Sequence, residues 1–196
     1  MGGQAVSREQ VAAMAREIVR REGGYVDDPN DGGGATNYGV SLRYAKRLGL
    51  DIDRDGDTDA DDIRLVTPDD AVQLYVRDFF ETPGFGTLPE PLWPQLFDMA
   101  VNAGPARALI ILQEVLNEAA RAAPDLGMAA LTPDGRMGPK TRATAARAFE
   151  VMGPFLINAY VEGRIAYYRR IVAASPSQRR FLAGWTNRAN EFRVAA

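Results

Sequence analysis

Glu22 is the first side chain in this sequence placed to do chemistry. It follows an apolar repeat of Val11, Met14, Ala15, Ile18 and Val19, three residues after Val19 and four after Ile18, so a continuing helix carries it on the buried stripe. It also falls in the last turn before Gly23 and Gly24, where the helix dipole is negative. Burial and dipole both favour the protonated carboxyl, which is the form a general acid needs. The stretch from Tyr25 to Gly39 then supplies further carboxylates at Asp27, Asp28 and Asp31, with Thr36 and Asn37 beyond them. Two carboxyl groups suit glycosidic bond hydrolysis: one protonates the leaving oxygen while the other stabilises the cationic sugar or holds the attacking water. By residue type alone any of the three aspartates could serve, and each could equally cap a turn. Tyr25 and Tyr38, in the same stretch, could stack on sugar rings, whereas Trp93 and Trp185 read more simply as core.

Two absences narrow the chemistry. The 196 residues include neither cysteine nor histidine, which removes thiol nucleophiles, histidine-assisted serine hydrolysis, disulfides and zinc sites built on those ligands. A hard, oxygen-bound metal stays available. The formal charge is -3, from 26 acidic against 23 basic residues, and seven of the acids fall between Asp51 and Asp62 with only Arg54 among them. That segment alone is -6, so the rest of the chain is net positive by 3 and the balance gives no sign of nucleic-acid binding. Asp51, Asp53, Asp55, Asp59 and Asp62 take positions 1, 3, 5, 9 and 12 of a calcium loop, with Gly56 at position 6 and the Asp57 carbonyl at position 7. A structural Ca2+ is expected there.

The elements that must hold these groups are mostly helical. Ser7 with Gln10 reads as a capping box for the first helix, Ser41 to Leu48 as a short helix, and Thr67-Pro68-Asp69-Asp70 as the capped start of another. A Pro/Gly stretch from Thr82 to Pro94 suggests an internal boundary, and helical patterns follow over 96–101, 105–122, 139–149 and 155–173, with Ser175-Pro176 opening a last helix. No apolar run approaches the roughly 20 residues a membrane span needs. The first ten residues have no apolar core, so no secretory signal is expected, and synthesis in the bacterial cytoplasm with holin-type or other release follows.

The run from Glu22 through Ser41 resembles the signature of glycoside hydrolase family 108, the N-acetylmuramidases of phage endolysins and secretion-activator proteins. The resemblance implies a mainly α, lysozyme-like helical domain with a small irregular or β-hairpin lobe, here carrying the EF-hand-like loop. It implies Glu22 as the catalytic acid, with Asp31 and Thr36 as water-positioning or transition-state partners. Thr36 stands one residue earlier than the phage-lysozyme spacing would put it, Asn37 holds the expected slot, and Gly32 and Ser41 replace a proline and a threonine. Asn37 is accordingly read with Tyr25 and Tyr38 as a substrate contact. Further on, Phe97-Asp98 to Asn102, Gly104, Gln113 and Asp134-Gly135 to Thr141 look like the family's predicted peptidoglycan-binding region, which makes Asp98 and Asn102 candidates for lining a glycan groove.

On this reading residues 1–92 form the catalytic region and 93–196 the wall-binding region, in a monomer whose partner is bacterial peptidoglycan. The implied activity is cleavage of the β-1,4 bond between N-acetylmuramic acid and N-acetylglucosamine. A lytic transglycosylase and a non-catalytic, calcium-dependent wall-binding module are the alternatives.

Overall fold

The computed structural model describes residues 2–27 and 34–195. The fold is mainly α with one small antiparallel sheet, and it divides into two compact units, Met1–Arg77 and Asp78–Ala196.

The first unit is built on α1 (Gly2–Glu22). Val11, Ala15, Ile18 and Val19 are buried at helical spacing, while Glu9, Arg16, Glu17, Arg20 and Arg21 pair on the wet face. The helix begins earlier than Ser7, since nothing between Gly2 and Ser7 breaks it. β1 (Thr36–Asn37) and β2 (Val40–Ser41) form a two-stranded hairpin in which Thr36 faces Ser41 and Asn37 faces Val40. Its two-residue turn puts Tyr38 and Gly39 in the left-handed region, at φ 49° and 77°, as a tight hairpin of this twist requires. Val26 adds a bridge to Thr36 through a pair of 2.8 Å hydrogen bonds. Ser41 caps α2 (Leu42–Leu48), and reciprocal capping boxes open α3 (Ala60–Leu65) at Asp59 and Asp62 and α4 (Pro68–Tyr75) at Thr67 and Asp70. α4 packs against α1 and buries Ala71, Val72, Leu74 and Tyr75.

The second unit holds five longer helices: α5 (Trp93–Ala103), α6 (Pro105–Ala122), α7 (Pro139–Met152), α8 (Pro154–Ala174) and α9 (Leu182–Asn190). A short 3₁₀ turn, Pro176–Phe181, precedes α9, so the last helix starts later than Ser175-Pro176 predicts. Leu96, Met99, Ile111, Leu112, Leu116 and Tyr160 make the centre of the core. α8 approaches α6 so closely that a Cβ at Gly163 would lie 2.7 Å from Val115 Cγ2. Phe80, in a π-helical segment (Val76–Glu81), packs edge-on against Trp93 and beside Phe97, which places the Pro/Gly stretch Thr82 to Pro94 within this unit. Among the described residues no helix is long and apolar enough to cross a membrane.

Candidate functional site

Glu22 is the last residue of α1, and Gly23 follows it at φ 82°. The side chain is exposed, contrary to the burial its place on the apolar stripe predicts. The stripe is correct in direction, but the helix stops at that residue, and what stands opposite is the thin Tyr38-Gly39 turn rather than another helix. A Cβ at Gly39 would lie 3.1 Å from Glu22 Cγ and 2.0 Å from the Tyr75 hydroxyl, so the turn, the acid and that hydroxyl converge on one small space. The Tyr75 hydroxyl donates to the Tyr38 carbonyl at 3.4 Å. Neither Tyr75 nor Gly39 is predicted from sequence as a functional residue. Tyr75 continues the buried stripe of α4 and reads as core, and no local spacing announces a partner 37 positions away.

Thr36 is half-buried on β1, its hydroxyl bonded to the Gly34 carbonyl at 3.4 Å, so the hairpin carries it and Tyr38 together. Asp31 lies outside the described residues. Tyr25 is exposed, with its hydroxyl on Asp27 at 3.3 Å and the Arg64 guanidinium 5.1 Å from its ring centre. A cavity of about 540 Å³ runs beside the end of α1, lined in part by Arg20, Gly23, Gly24, Tyr38 and Asp69.

Two residues read as substrate contacts are buried and hydrogen-bonded within the protein. Asn37 is only 5% exposed, and its amide donates to the carbonyls of Ile63 at 3.0 Å, Val66 at 3.1 Å and Arg64 at 3.4 Å. It therefore caps the C-terminal end of α3, where the helix runs short of N–H donors for its last carbonyls. Asp98, in the second unit, is 4% exposed. Its carboxylate takes Arg164 Nη2 at 2.6 Å and Arg188 Nε at 2.9 Å, which uses the side chain to hold α8 and α9 onto α5. Arg164 is completely buried, and its Nε and Nη1 have no hydrogen-bond partner among the described residues. Asn102 is exposed near the end of α5.

The acidic loop gathers its carboxylates into two groups, Asp51, Asp53 and Asp55, and Asp57, Asp59 and Asp62, each with oxygens within 4.8 Å of one another. Asp51 Oδ1 is buried and accepts no hydrogen bond from the described residues, and Gly56 makes the sharp turn at φ 103°. The charge of Asp55, followed by partial desolvation, pushes the Asp57 carboxyl above the ordinary carboxylate range. Asp62 behaves differently: buried at the end of the loop, it accepts the N–H groups of Asp59 at 2.9 Å and Ile52 at 2.5 Å, which hold its carboxyl below the usual range. The donor set suits a hard cation.

Residues 15–104 match the family described as glycosyl hydrolase 108, and residues 107–190 match the one described as predicted peptidoglycan domain. The two matches lie end to end over most of the chain, and together they mark a glycoside hydrolase that acts on peptidoglycan. Among solved structures it is similar to one described as the structure of Brucella abortus SagA, with 26% identity and a TM-score of 0.70, over 95% of this chain and 92% of that one. No curated protein matches it.

Proposed function

We propose that the protein is a muramidase that cleaves the β-1,4 bond between N-acetylmuramic acid and N-acetylglucosamine, with Glu22 as the general acid. The observation that carries this reading is the placement of Glu22 at the open end of α1, facing a hairpin that holds Thr36 and Tyr38, within the segment matching glycosyl hydrolase 108. Glu22 gives its proton to the glycosidic oxygen as the bond to C1 breaks; water, held by Asp31 and Thr36, adds at C1 and gives its proton to a carboxylate of the Glu22 and Asp31 pair, which restores the acid. The exposure of Glu22 leaves it accessible to a polymeric glycan, which would itself displace water as it settles over the acid. Tyr25 offers a ring for the sugar.

Digestion of purified peptidoglycan, followed by borohydride reduction and mass spectrometry, tests the bond and the chemistry. Reduced muramic acid ends are expected. Anhydro ends would assign a lytic transglycosylase instead, and no fragments at all would leave a wall-binding module. Glu22→Gln should lower lytic activity by about 10²–10⁴-fold, the usual worth of a general acid. Activity near that of the parent would overturn the assignment.

The acidic loop is proposed to hold one structural Ca2+ on Asp51, Asp53, Asp55, Asp59 and Asp62 with the Asp57 carbonyl, supported by the orphaned Asp51 oxygen and by six carboxylates that repel one another without a cation. A cation at about a hundred times its dissociation constant adds roughly 2.7 kcal/mol of stability. Chelation should therefore lower the thermal midpoint and Ca2+ restore it, whereas an unmoved midpoint rules the site out.

A further inference from the structure

We infer that Tyr75 is a positioning residue for Glu22, its hydroxyl holding the acid's carboxyl and the hairpin turn in one fixed relation. The inference rests on the reading of Glu22 as the acid. Tyr75 is 3% exposed at the end of α4, and α4 packs along α1, so the ring approaches from the interior while Glu22 approaches from the surface. They meet in front of Gly39. A Cβ there would stand 2.0 Å from the Tyr75 hydroxyl and 3.1 Å from Glu22 Cγ, so only the absence of a side chain at position 39 lets the two groups share the space. Gly39 also needs its left-handed φ of 77°, which makes it a double requirement of the turn.

The chemistry of the hydroxyl fits the role. A phenol has one donor and two acceptor lone pairs, and the Tyr75 donor is directed to the Tyr38 carbonyl at 3.4 Å. The lone pairs can receive a hydrogen bond from the Glu22 carboxyl only while that carboxyl carries its proton. The arrangement thus orients the proton-bearing form of an otherwise exposed side chain, and through Tyr38 it ties that orientation to the hairpin bearing Thr36. An exposed glutamate samples many rotamers, and fixing the productive one is a source of rate that leaves binding unaltered.

Tyr75→Phe keeps the ring and removes the hydroxyl. On soluble peptidoglycan fragments its kcat should fall about tenfold, the scale of one oriented hydrogen bond, with KM unchanged and the thermal midpoint lowered only by the loss of the bond to the Tyr38 carbonyl. Gly39→Ala should fall further, because the new methyl collides with the hydroxyl. In the Tyr75→Phe background the added loss should be smaller, giving a non-additive double-mutant cycle. A Tyr75→Phe protein with unaltered kcat, beside an inactive Glu22→Gln, overturns the inference and leaves the acid assignment standing. A fall in kcat that follows a fall in thermal midpoint, with an additive cycle, also overturns it, because it marks Tyr75 as packing alone. An active Glu22→Gln removes the acid and the inference with it.

Discussion

A buried amide in the first unit and a buried carboxylate in the second hold their surroundings in different ways. In the first, the helices after α1 run only six to eight residues, too short to bury a broad apolar face, and side chains that grip main-chain ends do much of the holding. Asn37 is the clearest case, a neutral amide spread over three carbonyls. In the second unit, four of the five helices run 11 to 21 residues and their apolar faces merge into one core. That core contains a charge, Asp98, facing Arg164 and Arg188. A satisfied amide and a buried carboxylate both look like groove residues in a sequence, yet the first secures a helix end at modest cost while the second makes three helices depend on one group.

The sharpest way to break this contrast is Asp98→Ala. It leaves the fully buried Arg164 without its anion, and breaking such a pair is worth about 3–5 kcal/mol, to be read from urea unfolding. Were Asp98 a glycan contact instead, activity would fall with stability intact. Asn37→Ala should have a smaller effect, about 1–3 kcal/mol, from stripping the donor off the α3 carbonyls, with faster hydrogen exchange in that segment. Weaker substrate binding at unchanged stability would return Asn37 to the substrate.

The smallest effect concerns Asp134. The Gln113 amide and then the Arg136 N–H hydrogen-bond its ionised form and hold its carboxyl below the usual range. A depressed carboxyl contributes stability that is fully present above its unfolded value, near 4, and is lost as pH falls through the folded value. The stability gap between the parent and Asp134→Asn should accordingly close on going from pH 6 towards pH 2. A gap that stays constant would show that the hydrogen bonds do not depend on the charge.

What the sequence makes legible follows from how local each signal is. Thr67-Pro68-Asp69-Asp70 predicts a cap and a first-turn proline, and both are present because every participant lies within one turn; the structure adds the reciprocal bond from Asp70. The apolar stripe of α1 likewise gives the direction of Glu22. It cannot give its burial, because that depends on what stands across from the helix end, and a two-residue turn covers little. The burial of Asn37 and Asp98 is hidden for a related reason: polarity suggests a wet surface, while their acceptors and donors lie 26 to 90 residues away. Tyr75 is hidden in the reverse sense, since its ring obeys the core pattern and only its oxygen departs from it.

The Asn37 clamp has a consequence for how this protein could vary. Because that amide reaches Ile63 and Val66, the chain leaves the hairpin and returns to it across a single hydrogen-bond layer, and α2, the acidic loop and α3 lie within the closed ring. Lengthening such a ring costs little, since the closure penalty grows only with the logarithm of its size. The acidic loop inside the ring can therefore be lengthened while the two ends keep the same separation, so such a change would leave undisturbed the hairpin that faces Glu22.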